Sequence, residues 1–181
     1  MMDFAIWIEN LGLFSDIRGS AYEYPILLAL HLVGIAFAGG LILITDLRLL
    51  GWAFGGHSVA SVVNALRWPK RLGFVWVGGC GFLLAMSKAE GYFLNGAFQI
   101  KMTLLFLVVV HALVFRPTVY NKPEELDKAP ELPGRAKLAA TLSLLLWIGI
   151  LSAGRAIGYL NAPNGLHYTQ LLHTILTLGR G

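Results

Sequence analysis

The sequence predicts an all-α integral-membrane protein: a four-helix bundle with an interfacial helix at each terminus. Three observations lead there. Of 181 residues, 56% are hydrophobic and only 13% charged, whereas a soluble domain of ordinary composition carries about 25% charged residues. Mean hydropathy is +0.67. The apolar residues also gather into four long runs separated by polar, Pro-containing segments, and a helix rising about 1.5 Å per residue needs roughly 20 residues to cross a hydrocarbon core.

The elements follow in chain order. "MDFAIWIENLGLF" is too short to span, but Phe4, Trp7, Ile8, Leu11 and Phe14 suit a helix lying in the interface. Acidic residues precede this stretch and no basic flank marks a signal peptide, so the segment is expected to be retained. The first span covers 24–50, with Pro25 in its first turn. Gly55 and Gly56 then predict a turn, residues 58–66 a separate interfacial helix, and 72–89 a second span entered through "RWPKR". A third span covers 98–115 and stops before Arg116-Pro117. Residues 116–137 carry prolines and mixed charges, which describe a cytoplasmic surface loop with room for a short helix at 124–128. The fourth span covers 138–160. In the tail, Tyr168, Leu171, Leu172, Ile175 and Leu178 share one face of an interfacial or bundle-capping helix. The whole chain, 1–181, is read as a single membrane domain.

Charge sets the direction of the spans. Arg48, Arg67, Lys70 and Arg71 cluster around the first loop, and Arg116, Lys122, Lys128, Arg135 and Lys137 lie on or beside the third. Fewer bases flank the opposite side, so the positive-inside rule places both termini outside the cytoplasm in a multi-pass protein. The formal charge of +4 sits beside apolar segments, where it meets anionic lipid rather than nucleic acid. Cys80 is the single cysteine, so no internal disulfide forms. No phosphate loop, dinucleotide fingerprint, nucleophile elbow or zinc-protease helix is present, and whether the chain is an enzyme stays open.

Histidines supply the candidate site. His31 lies in "LALHLVGIAFAGG", where adjacent glycines permit close helix packing or leave room for a flat macrocycle. The ring then either hydrogen-bonds a neighbouring carbonyl or serves as an axial metal ligand to haem iron. His111, near the far end of the third span, is vertically offset from His31 and makes a poor axial partner. His57, in the first loop, matches His111 better in depth, and His173 in the tail is a further candidate if the tail folds over the outer mouth. Arg155 stays charged at the outer side and must meet an anion or snorkel. With His31 and Glu90 it forms a candidate network for a carboxylate, a quinone head or a haem propionate. Asp46 is expected to meet Arg67, Lys70 or Arg71 as an anchor between the first helix and its loop.

"IWIENLGLF", "YPILLALHLVGIAFAGGLILITDLRLLG" and "GRAIGYL" resemble landmarks of an uncharacterised bacterial family of small multi-helix membrane proteins, a domain of unknown function, over residues 6–160. The resemblance rests most specifically on His31 with Gly34, the "DLRLLG" run, Asn95 with Lys101, and Arg155 with Gly158. It implies an integral-membrane bundle and transfers no activity. "HALVF" at His111 departs from the asparagine common at that point in related chains, which favours His31 for a shared role. Looser similarity to membrane cytochrome b proteins implies b-type haem and quinone-linked electron transfer, with a membrane redox partner or a homo-oligomer. The other function class is a structural or accessory membrane subunit, and a small-molecule carrier is a third, favoured by a continuous polar cavity.

Overall fold

The computed structural model describes residues 2–129 and 131–160, and the regular elements among them are all helices. They are α1 (Met2–Glu9), α2 (Gly12–Gly19), α3 (Glu23–Leu50), α4 (Val59–Met86), α5 (Ala89–Phe93), α6 (Gly96–Phe115), a π-helical turn (Arg116–Tyr120), α7 (Pro123–Asp127) and α8 (Gly134–Leu160). The tail predicted to carry a capping helix, with His167 and His173, lies outside the described residues.

Among the described residues, three helices are long and apolar enough to cross a membrane: α3, α6 continued through the π-helical turn, and α8. The chain is an all-α membrane protein. The fourth long helix, α4, has the same 28 residues as α3, but Arg67, Lys70 and Arg71 lower its apolarity. Outward faces carry large apolar side chains, among them Leu32, Leu43, Phe106, Leu113, Leu145 and Ile148, as expected where lipid replaces water as the solvent.

Packing follows side-chain size. The buried stripe of α3 reads His31, Gly34, Ala38, Ile42, Thr45, Asp46 and Leu49, one helical face. Antiparallel to it, α4 presents Gly81, Val77 and Gly73. A Cβ at Gly73 would stand 3.0 Å from that of Ala38, and one at Gly81 only 2.9 Å from His31 Cε1. Small residues bring these backbones together, as in other membrane helix pairs. In the same way Gly149 of α8 receives Leu104 of α6. Helix α3 packs on α4 and α8, and α8 on α6, whereas α4 and α6 have little direct contact. The bundle is therefore open along one seam.

Three expectations change. Residues 58–66 do not form a separate helix: α4 begins at Val59 and runs unbroken through Pro69. Its start is held by Ser58 Oγ, which accepts from the Ser61 amide at 3.1 Å, and by Asp127, whose two oxygens accept from the Val59 and Ala60 amides at 2.7 and 2.9 Å. A helix capped this firmly tolerates the one backbone bond that an internal proline removes. The third span does not stop at Arg116. Pro117 cannot donate to the α-helical ladder, and the chain continues as a π-helical turn that buries Val119 completely. The single N-terminal helix is two, broken between Glu9 and Gly12.

Candidate functional site

The bundle has a cap end, built by α1, α2 and α5, and a basic end, built by the loop after α3, the π-helical turn and α7. The open seam widens at the basic end into a cleft of about 290 Å³. Its floor is Ile42, Thr45 and Asp46 from α3 with Ser143 from α8. One wall is Arg67, Lys70, Arg71 and Phe74 of α4, and the other is Val108, His111 and Ala112 of α6. Arg116, Tyr120 and Asn121 close over it from the turn, and Trp147 lies alongside Phe74 with ring centroids 5.9 Å apart.

Each polar group has a traceable position. Lys70 Nζ donates to Thr45 Oγ1 at 3.0 Å and stands 5.9 Å from the Tyr120 ring centroid. Arg67 donates to the Tyr120 carbonyl at 2.9 Å and to Asn64 Oδ1 at 2.8 Å, tying α4 to the turn. Arg71 rests over Trp68 at 5.2 Å. His111 Nε2 lies 2.9 Å from the Ala139 carbonyl oxygen, so that nitrogen carries the proton. Asp46 is 1% exposed, and Ser143 hydrogen-bonds its carboxylate, yet Oδ2 is buried with no hydrogen-bond partner among the described residues. An unsatisfied buried acceptor costs about 1–3 kcal/mol, more when charged. The cleft thus combines four cations, a carboxylate with a spare oxygen and two aromatic walls.

Depth is marked by neighbours. Asp46 lies four residues before the end of α3, about 6 Å along the axis at 1.5 Å per residue. Trp52 and Trp68, 76% and 66% exposed, flank the same end as interfacial aromatics do. The cleft therefore lies at the end of the bundle that carries these aromatics.

The predicted histidines separate. His31 lies in the packed α3–α4 seam, 7% exposed, with Nδ1 buried and unpartnered among the described residues and the Lys101 ammonium within electrostatic range. His111 shares the cleft with Asp46, fifteen residues along α3 from His31, or about 22 Å. His57 is exposed in the loop, where its carbonyl accepts from Arg48 Nε at 2.8 Å. The His31–Glu90–Arg155 network does not form. Arg155 is exposed, donates to the Tyr159 hydroxyl at 2.8 Å and stacks on that ring at 4.7 Å. Glu90 instead gives its backbone amide to Glu9 Oε2 at 2.9 Å.

A family profile matches residues 4–160. The chain belongs to DUF6644, a family of unknown function. Neither a curated protein nor a solved structure matches it. The DUF6644 fold therefore has to be read from its own geometry, and its cleft was only half visible in the sequence. Asp46 and the three α4 bases were expected together, but as an anchor between the first helix and its loop, and no ion pair joins them among the described residues; Tyr120 lay in a segment read as surface loop, and Ser143 and Trp147 were not singled out.

Proposed function

We propose that this DUF6644 chain is a membrane-embedded binding subunit that holds the negatively charged head of an amphiphile in the basic cleft, with the tail in the open α4–α6 seam. The observation that carries the reading is the convergence of Arg67, Lys70, Arg71 and Arg116 on one cavity, at the end of the bundle that carries the exposed aromatics, against a single carboxylate. Such an excess of cations in a partly dry site attracts an anion, because Coulomb energies grow as the dielectric falls. The volume, about 290 Å³, is at the low end for ligand pockets and suits a head rather than a whole lipid. Native mass spectrometry of detergent-purified protein with added phosphatidic acid tests it. Retention is expected to fall at least about tenfold in Lys70→Ala/Arg116→Ala, as for loss of charge-assisted hydrogen bonds. Unchanged retention would remove the cleft from consideration.

A quinone-linked electron-transfer role is the second reading, and it has observations of its own. Trp147 and Phe74 offer ring surface beside the Lys70 donor and the His111 ring, and His31 keeps a buried imidazole nitrogen unpaired among the described residues. A b-type haem on His31 predicts a reduced-minus-oxidised α band that disappears in His31→Ala, while a quinone in the cleft predicts that a short-chain quinone displaces bound phosphatidic acid.

A further inference from the structure

Resting on that reading, we infer that the head held in the cleft is bipartite, carrying a hydrogen-bond-donating ammonium beside its phosphate, as in the phosphoethanolamine head of a membrane lipid. The juxtaposition that carries this is a carboxylate with a spare oxygen on the floor of a cavity ringed by bases.

Cations alone would specify a plain anion. Asp46 contradicts that specification. It is 1% exposed, it lines the cleft, and its Oδ2 is buried with no partner among the described residues. The neighbouring bases do not hydrogen-bond it, although the Lys70 ammonium stands within electrostatic range. Lys70 spends a hydrogen bond on Thr45, Arg67 reaches Tyr120 and Asn64, and Arg71 lies over Trp68. No base stands within ion-pair distance of Asp46 among the described residues. A phosphate placed directly against this carboxylate would meet like charge, whereas an N–H donor there would satisfy an otherwise costly acceptor.

The two demands have an order in space. The carboxylate is on the floor, and Arg116 and Arg71 come from the walls and roof. A primary ammonium entering first and its phosphate remaining near the mouth meets both. Choline carries the same formal charges but no N–H, so it supplies attraction without the hydrogen bond and adds three methyl groups. A plain phosphate supplies nothing for Asp46. Soluble phosphoethanolamine shares the chemistry of the lipid head, but the open apolar seam commits the site to the tailed form, whose chains have a place between α4 and α6.

The test uses full-length protein in detergent and titrates lipids of identical chains that differ only by stepwise N-methylation: phosphatidylethanolamine, its mono- and dimethyl forms, and phosphatidylcholine. Native mass spectrometry reads the affinity. Unmodified protein is expected to lose about tenfold across the series, the value of one charge-assisted hydrogen bond. In Asp46→Asn the series is expected to flatten to within about twofold. Equal binding of the first and last members by the unmodified protein would overturn the bipartite head, with no variant needed. Tighter binding of phosphatidic acid than phosphatidylethanolamine, alike in both proteins, would also overturn it while leaving the anion site standing. Insensitivity of every lipid to Lys70→Ala/Arg116→Ala would instead defeat the cleft itself. Binding of soluble phosphoethanolamine as tight as that of the lipid would place the source in solution and overturn the lipid assignment.

Discussion

The two ends of the bundle are closed by the same chemistry over opposite interiors. At the cap end Glu9 pairs with Arg18 and accepts from the Glu90 amide, so α1 is strapped to α2 and α5. At the basic end Asp127 accepts from the Val59 and Ala60 amides, so α7 is strapped to α4. Beneath the cap-end strap, α3 and α4 meet through glycines. Beneath the other, large side chains and bases hold α4 and α6 apart. Straps fix helix ends, but residue size beneath them decides between a packed seam and a cavity. This comparison explains why an ionisable group can be structural in one half and free to bind in the other.

The largest expected effect comes from breaking the packed seam. Gly81→Ala places a Cβ 2.9 Å from His31 Cε1, and overpacking of this kind costs about 1–3 kcal/mol. Gly79→Ala, two positions away, meets nothing within 4 Å, and the gain in helix propensity stabilises by up to ~1 kcal/mol. Unfolding in detergent micelles, followed by tryptophan fluorescence, reads both. Equal shifts in the same direction would mean that the α3–α4 contact is not the tight one. The basic-end strap comes next. Asp127→Ala removes the cap on the α4 amides and is expected to cost about 1 kcal/mol, with faster hydrogen exchange at Val59 and Ala60. Exchange unchanged at those amides would show that Asp127 does not protect them. A smaller effect is expected from Arg155→Ala. Arg155 is exposed and among the described residues engages Tyr159, one turn along its own helix. Such a surface contact is worth about 0.5 kcal/mol, and a loss of several times that would restore a wider network at the cap end.

The same contrast explains how much could be read from sequence. Apolar runs and glycines are local signals, so the membrane class and the approximate positions of α3, α6 and α8 were legible. The α3 stripe from His31 through Ala38 to Thr45 also follows directly from helical period. What escaped was decided by partners distant in sequence. Residues 58–66 became part of α4 because Asp127, 68 positions from Val59, caps its amides, and no local propensity encodes that bond. The π-helical turn carries Tyr120 back over Lys70 and Arg67, turning an apparent surface loop into the roof of the cleft. Arg155 takes the second of its two expected courses: its guanidinium reaches the exposed surface beside Tyr159.

The finest test of the comparison is a pH dependence at the basic-end strap. Glu124 is fully exposed, yet its carboxyl is held below the usual range by a backbone amide, that of its own residue, and then by the Asn64 side-chain amide at 2.9 Å. A carboxyl whose folded pKa is lowered contributes stability that is fully present above its unfolded pKa, about 4.3, and is lost as pH falls through the folded value. Unmodified protein is therefore expected to exceed Glu124→Gln slightly in thermal stability at neutral pH, with the gap closing only under acid conditions. Screening at an exposed site keeps the effect small, and added salt should shrink it further. A gap that stayed constant down to strongly acidic pH would mean that the hydrogen bond to Asn64 works as well with a neutral partner. The strap would then combine a pH-independent hydrogen bond from Asn64 with the Asp127 cap, whereas the cap end is held by the charged pair of Glu9 and Arg18.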